Sequence, residues 1–188
     1  MDFVFDLLQG VGIAAAIGVR PFLPVALVAG LARADLGLDF EGTDFAFLES
    51  WAVIAGFFGG AAVSLAGKDP PSPPLVKGVL LAAVGALFAA GSLADHGYTI
   101  IPGIVGGAAA AVLGFLAAQS LFARVRRRLD PESARALPFY GEGAALAAAG
   151  LSILFPPLAV VVVGGLAWLL LAGRRREGEK YAGLRVLR

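Results

Sequence analysis

The chain has 188 residues, of which 59% are hydrophobic and 15% are charged, and its formal net charge is +1. A water-soluble chain of this length needs more polar surface, so the composition predicts a single integral membrane domain. The small net charge excludes an electrostatic nucleic-acid binder, because no basic face is large enough to follow a phosphate backbone. Cysteine is absent and His96 is the single histidine, so we expect no disulfide, no metal site and no cofactor.

Seven apolar segments follow one another along the chain and predict an all-α polytopic helix bundle. They cover residues 3–18, 21–34, 47–66, 75–93, 100–124, 139–155 and 158–173. The first two and the last two are short, and at about 1.5 Å per residue they barely span about 30 Å of hydrocarbon. The pairs 3–34 and 139–173 are therefore either full crossings or re-entrant hairpins. Residues 1–173 form the predicted transmembrane domain, and residues 174–188 form a basic cytoplasmic tail.

Prolines predict helix breaks near both ends of the bundle. Pro21 and Pro24 interrupt the first apolar pair, and Pro156 and Pro157 interrupt the last pair. A proline inside a helix lacks the N–H donor and clashes with the preceding turn, so each position favours a break.

The two proline-broken regions resemble each other. Residues 12–32 and 145–167 both contain an alanine-rich helix, a proline break and a second apolar helix that ends in Gly-Leu-Ala. Inverted repeats with broken helices are typical of secondary transporters. Chance similarity is the alternative, because alanine, glycine, valine and leucine fill most of the chain.

Charge placement predicts the orientation in the membrane. Basic residues concentrate at 124–128 and 174–176, whereas the 35–49 connection is acidic. Because basic ends face the cytoplasm, seven crossings place the N-terminus outside and the C-terminus inside.

The candidate site consists of the charges closest to the apolar segments. With seven crossings, Arg20, the Lys68–Asp69 pair and Glu142 all lie toward the cytoplasmic side. Charge near hydrocarbon is costly unless it is paired or hydrated, so Arg20 is expected to pair with Glu142 or Asp69. Such a pair could recognise an ion or a polar headgroup. The structural alternative is that Glu142 and Arg20 complement helix dipoles and that Lys68 extends to the interface.

Glycine spacing predicts close helix packing. Gly56 and Gly60, Gly103 and Gly107, and the pair Gly164–Gly165 fall at intervals that let helix backbones approach. Internal packing is the default interpretation, with a homo-oligomer seam or a lipid-facing groove left open.

Three motifs resemble the prokaryotic membrane family known as domain of unknown function 4126. These are GVRPFLPVALVAGLAR at 18–33, GKDPPSP at 67–73 and PFYGEGAALAAAGLSILFPPLA at 138–159. The resemblance implies a small polytopic protein of the prokaryotic cytoplasmic membrane without an established activity. It marks Arg20, Phe22, Pro24, Asp69 and Glu142 as the positions of interest. The order Lys68–Asp69 departs from the usual Asp-Lys order of that family.

The leading functional hypothesis is a transporter or channel for a small solute or ion, with Arg20 as anion anchor and Glu142 or Asp69 as counter-ion and proton carrier. Phe22, Pro24 and Lys68 complete the predicted binding residues. The alternative is a non-catalytic membrane scaffold or lipid-binding subunit, whose basic 124–128 patch would attract anionic headgroups. An intramembrane enzyme is disfavoured, because no nucleophile or paired carboxylates stand out.

Overall fold

A computed structural model describes residues 3–67 and 72–182 of the chain, with the side chains of Pro131 and of residues 174–182 outside that description. The described residues form an all-α fold. Its helices are α1 (Phe3–Val19), α2 (Phe22–Arg33), α3 (Trp51–Leu65), α4 (Pro74–Ala94), α5 (Ile101–Arg126), α6 (Pro131–Ala134), α7 (Leu137–Leu154) and α8 (Leu158–Ala182). A 3₁₀ helix over Ala46–Glu49 precedes α3.

Three stretches of the described chain are long and apolar enough to cross a membrane. They are α4, α5 and the stretch Glu132–Leu154, which runs from α6 through α7. The helices α1, α2 and α3 and the stretch Leu158–Gly173 are apolar but shorter. The prediction of an all-α protein with membrane-spanning helices is supported at this level, whereas the count of seven crossings is not confirmed. With 12 residues, α2 covers only about 18 Å, which is less than the about 30 Å thickness of the hydrocarbon.

Helix α1 lies at the centre of the bundle. It packs against α2, α4, α5, α7 and α8, and every residue from 12 to 18 is buried. The small side chains of α1 allow this crowding: a Cβ atom at Gly18 would collide with the Ala111 carbonyl of α5. Across the same contact, a Cβ at Gly114 would collide with the Ala15 carbonyl. The two backbones therefore approach closely because glycine removes the intervening side chains.

The glycine pair of α5 packs against α4, as its spacing predicted. A Cβ at Gly103 would lie within 2.9 Å of Ala90 Cα, and one at Gly107 would lie 2.6 Å from Ala89 Cβ. By contrast, nothing lies within 4 Å of the Cβ positions at Gly56, Gly164 and Gly165.

The first break in the bundle reverses the chain between α1 and α2. Helix α1 ends at Val19, and α2 starts at Phe22 after Arg20 and Pro21. Beyond the far end of α2, the Gly37 carbonyl accepts a 2.8 Å hydrogen bond from Gln9 near the start of α1. The two helices therefore run in opposite directions.

The second break reverses the chain between α7 and α8 at the other end of α1. Gly141 in α7 lies against Arg20, whereas Ser152 near the end of α7 lies against Gly12. Ala159, in the first turn of α8, also lies against Gly12. The α1–α2 and α7–α8 pairs are thus two helical hairpins that reverse at opposite ends of the bundle.

The predicted break at Pro24 is wrong. Pro24 is the third residue of α2 and is fully buried there. The first N–H groups of a helix have no intrahelical acceptor, so proline is tolerated at this position. The break lies instead at Arg20 and Pro21, while Pro156 and Pro157 do occupy the turn between α7 and α8.

A capped turn joins α5 to α7. The side chain of Asp130 accepts hydrogen bonds from the backbone N–H groups of Ser133, at 2.9 Å, and Glu132, at 3.1 Å. Hydrogen bonds from Ser133, first from its backbone and then from its side chain, hold the pKa of Asp130 below its ordinary value. The charged form of Asp130 therefore caps α6 at the basic end of the bundle.

The acidic connection between α2 and α3 contributes to the core. Phe40 is fully buried, and its ring lies 6.1 Å from the ring of Phe88 in α4 in an edge-to-face arrangement. A Cβ at Gly91 would lie 2.8 Å from the Phe40 ring, so glycine makes room for it. This connection therefore closes one end of the bundle.

Candidate functional site

Glu142 is a buried carboxylate inside an apolar bundle. It lies in the second turn of α7 and is only 1% exposed. Its Oε2 atom accepts a 3.1 Å hydrogen bond from the backbone N–H of Leu23 in α2. Glu142 therefore caps the N-terminus of α2, a helix other than its own.

The sequence of α2 explains why it takes a cap from α7. Its N-cap residue is Pro21, which offers no side-chain cap. The N–H of Val25 bonds to the Pro21 carbonyl, and Pro24 has no N–H. The N–H of Leu23 is one of the donors of this turn that have no intrahelical acceptor, and the positive end of the helix dipole favours a carboxylate beside it.

Arg20 lies in the break itself and connects three further helices. Its Nη1 donates a 3.2 Å hydrogen bond to Oγ of Ser64, a fully buried residue near the end of α3. Its guanidinium carbon lies 5.5 Å from the ring centre of Phe122 in α5, a cation–π contact. The side chain also passes beside Gly141, whose Cβ position is 3.4 Å from Arg20 Nε.

We call this arrangement the break site and define it by Arg20, Ser64, Phe122, Glu142 and the N–H of Leu23. It combines one guanidinium, one carboxylate and a helix N-terminus, with contributions from four helices (α2, α3, α5 and α7) and from the break itself. The guanidinium and the helix N-terminus both favour an anion, and Glu142 supplies a negative charge that a proton can remove. The described residues include no group of three or more histidine, cysteine, aspartate or glutamate residues that could hold a metal.

The other predicted site residues lie elsewhere. Phe22 packs against α3: a Cβ at Gly60 would lie 2.5 Å from its ring, and the ring of Phe57 is 6.3 Å away. Phe22 lines a shallow apolar groove of about 380 Å³ together with Phe57 and small residues of α3. Pro24 is buried within α2, and both Lys68 and Asp69 lie outside the described residues.

Ser64, like Phe122, is a site residue that sequence reasoning left out of the predicted set. It is one serine among several in apolar segments, and its helical position alone does not indicate which neighbour it meets. The usable signal was that Ser64 is a polar residue near the predicted cytoplasmic end of its segment, the same end as Arg20.

A second polar cluster, partly buried, lies near the start of α1, and we call it the α1–α4 cluster. It consists of Asp6, Gln9, Ser92, Asp95 and His96. Ser92 Oγ donates a 3.0 Å hydrogen bond to the Asp6 carbonyl and lies 3.3 Å from Gln9 Oε1. The Nδ1 atom of His96 lies 3.4 Å from Asp6 Oδ2 and 3.7 Å from Asp95 Oδ2.

The α1–α4 cluster was not predicted, although its spacing carried a signal. Asp6 and Gln9 are three residues apart, and Ser92, Asp95 and His96 follow an i, i+3, i+4 pattern. Such spacings place side chains on one helix face. His96 follows α4 in a turn and contacts the buried carboxylate of Asp6.

No family model, curated protein or solved structure matches this chain. The resemblance to domain of unknown function 4126 therefore stays a prediction.

Proposed function

We propose that the protein is a membrane transporter or channel for a small solute or ion, preferably an anion, that binds at the break site. The observation that carries this proposal is the hydrogen bond between buried Glu142 and the Leu23 N–H, beside Arg20 in a helix break. Ionisable residues inside a membrane bundle are costly and typically serve transport, and transporter sites lie at broken helices.

The chemistry of the site suggests that the Glu142 carboxylate competes with an anion for the N-terminus of α2. The Glu142 carboxylate occupies the N-terminus of α2, which would otherwise bind an anion together with Arg20. When a proton neutralises the Glu142 carboxylate, its attraction to Arg20 and to the N-terminus of α2 falls. An anion can then replace Glu142 beside these two groups. One anion and one proton would therefore bind together at the break site.

The arrangement of the hairpins supports the same proposal. The α1–α2 and α7–α8 hairpins reverse at opposite ends of the bundle, as an inverted repeat requires. With the N-terminus outside and the C-terminus in the cytoplasm, the break site faces the cytoplasmic half of the membrane. If the chain belongs to the family called domain of unknown function 4126, which it resembles, it is a protein of the prokaryotic cytoplasmic membrane.

A scaffold or lipid-binding subunit would use the same contacts differently. In that case Glu142 and Arg20 would only hold α2 against α7 and α3, and water would not reach them. Water access therefore separates the two functions without knowledge of the substrate.

Two fully buried serines provide a matched experiment, because the native chain has no cysteine. Ser64→Cys places a thiol beside Arg20, and Ser152→Cys places one between α7 and Gly12. Each variant would be reconstituted in vesicles and exposed to a membrane-impermeant thiol reagent from either side.

For a transporter we expect Ser64→Cys to react from both sides of the membrane, while Ser152→Cys stays unreacted. Reaction of Ser64→Cys from one side only, or protection equal to that of Ser152→Cys, would contradict the proposal and favour a structural clamp.

A further inference from the structure

A groove runs between α5 and α8 at the end of the bundle that carries the basic 124–128 segment. Its volume is about 190 Å³. Leu121, Arg124 and Arg128 line the α5 side, and Trp168, Leu169 and Gly173 line the α8 side. The groove thus combines apolar walls with two guanidinium groups and an exposed indole.

The four arginines of the 124–128 segment differ in their contacts. Arg127 Nε donates a 3.1 Å hydrogen bond to the Ala123 carbonyl, so this side chain serves the end of its own helix. Arg126 is exposed and does not line the groove. Arg124 in α5 and Arg128 in the turn after α5 are the two that line it.

Gly173 leaves room for the Arg124 guanidinium between α5 and α8. A Cβ atom at Gly173 would collide with Arg124 Nη1 and lie 2.9 Å from Arg124 Cζ. The missing side chain of α8 therefore creates the space in which the Arg124 guanidinium lies.

We propose that the α5–α8 groove binds an anionic phospholipid. Guanidinium groups bind phosphate oxygens with two parallel hydrogen bonds, which suits Arg124 and Arg128 to a phosphodiester headgroup. Leu121 and Leu169 offer an apolar surface to an acyl chain, and the Trp168 indole suits the headgroup level. The inference is independent of the proposed transport, because no break-site residue lines the groove.

Trp168 supplies a direct reporter of occupancy. The chain has two tryptophans, so Trp51→Phe leaves Trp168 as the single fluorophore. The full-length Trp51→Phe protein would be reconstituted in phosphatidylcholine vesicles that contain either brominated phosphatidylglycerol or the same fraction of brominated phosphatidylcholine. We expect brominated phosphatidylglycerol to quench Trp168 more strongly.

Two exposed arginines provide the matched control. In the Trp51→Phe background, Arg128→Gln should lower the preference for phosphatidylglycerol about fivefold, since it removes a hydrogen-bond donor from the groove and such a bond contributes about 1 kcal/mol. Arg126→Gln removes the same charge two residues away but no groove contact, and it should lower the preference less.

A second pair of variants tests the geometry instead of the charge. Gly173→Ala should displace the Arg124 guanidinium and weaken the preference, whereas Gly165→Ala changes an open position of the same helix. Equal quenching by the two brominated lipids, or equal losses for Arg126→Gln and Arg128→Gln, would overturn the proposal. Restoration of Trp168 emission by inorganic phosphate would overturn it as well, because the groove would then bind free phosphate.

Discussion

The Glu142 carboxylate on α7 accepts a 3.1 Å hydrogen bond from the backbone N–H of Leu23, 119 residues earlier in the chain. This contact joins the N-terminus of α2 to the α7–α8 hairpin. It places a protonatable group where the helix dipole and Arg20 both favour negative charge.

Glu142→Gln should separate the structural role of Glu142 from its charge. The glutamine carbonyl can still accept from Leu23, so thermal unfolding in detergent should shift little. Glu142→Ala removes the acceptor, and a hydrogen bond to a charged group contributes about 1.5–3 kcal/mol. Under the proposed competition, both variants lose proton-coupled anion uptake into vesicles. Normal uptake by Glu142→Gln would contradict the proton-carrier role.

Arg20→Ala should abolish flux before it abolishes membrane insertion, because it removes the anion anchor but leaves the apolar helices intact. Arg20→Lys should also insert but transport little, since an ammonium group cannot reproduce the guanidinium fork that reaches Ser64.

Arg33 provides the control for Arg20. Its guanidinium carbon lies 5.0 Å from the Trp51 ring centre, a similar cation–π contact at the other end of α2. We expect Arg33→Lys to retain flux in the same vesicle assay. A loss as large as that of Arg20→Lys would show that the assay reports general stability and not the break site.

Ser92→Ala tests the α1–α4 cluster. The substitution removes the 3.0 Å hydrogen bond from Ser92 Oγ to the Asp6 carbonyl, and a typical intramolecular hydrogen bond contributes about 0.5–1.5 kcal/mol. Ser120→Ala is the matched control, because Ser120 bonds within its own helix to Ala117 and is only half-buried. Equal unfolding temperatures for the two variants would show that the cluster does not stabilise the fold.

Gly18→Ala tests the crowding of α1 against α5. The new Cβ would collide with the backbone carbonyl of Ala111, which cannot move aside as a flexible side chain can. Overpacking of this kind typically costs about 1–3 kcal/mol, so the unfolding temperature in detergent should fall.

Gly59→Ala is the opposite case. Nothing lies within 4 Å of its Cβ position in α3, and alanine favours a helix by about 0.5–1 kcal/mol relative to glycine. This variant should be as stable as the parent or slightly more so. A loss at Gly59 as large as that at Gly18 would contradict the described packing.

Much of the helix pattern could be predicted, because apolar runs and prolines act locally. The fourth and fifth segments, predicted at 75–93 and 100–124, correspond closely to α4 and α5. The continuation of α8 to Ala182 was not predicted, because the apolar signal ends where the charged residues begin. Pro24 was misassigned because a proline in a first turn and a proline at a break look alike in sequence.

The sequence by itself determined that the chain is apolar enough for a membrane and where most of its helices lie, since hydropathy and proline chemistry depend on few neighbours. It also marked Arg20 and Glu142, because charge in an apolar chain is conspicuous. Only the tertiary structure decided that Glu142 caps α2, that Ser64 meets Arg20 and that Arg124 lies over Gly173. The first two contacts join residues that are 119 and 44 positions apart along the chain, so they depend on how the helices pack. Helix packing depends on side-chain shape across many contacts at once, which local sequence patterns do not encode.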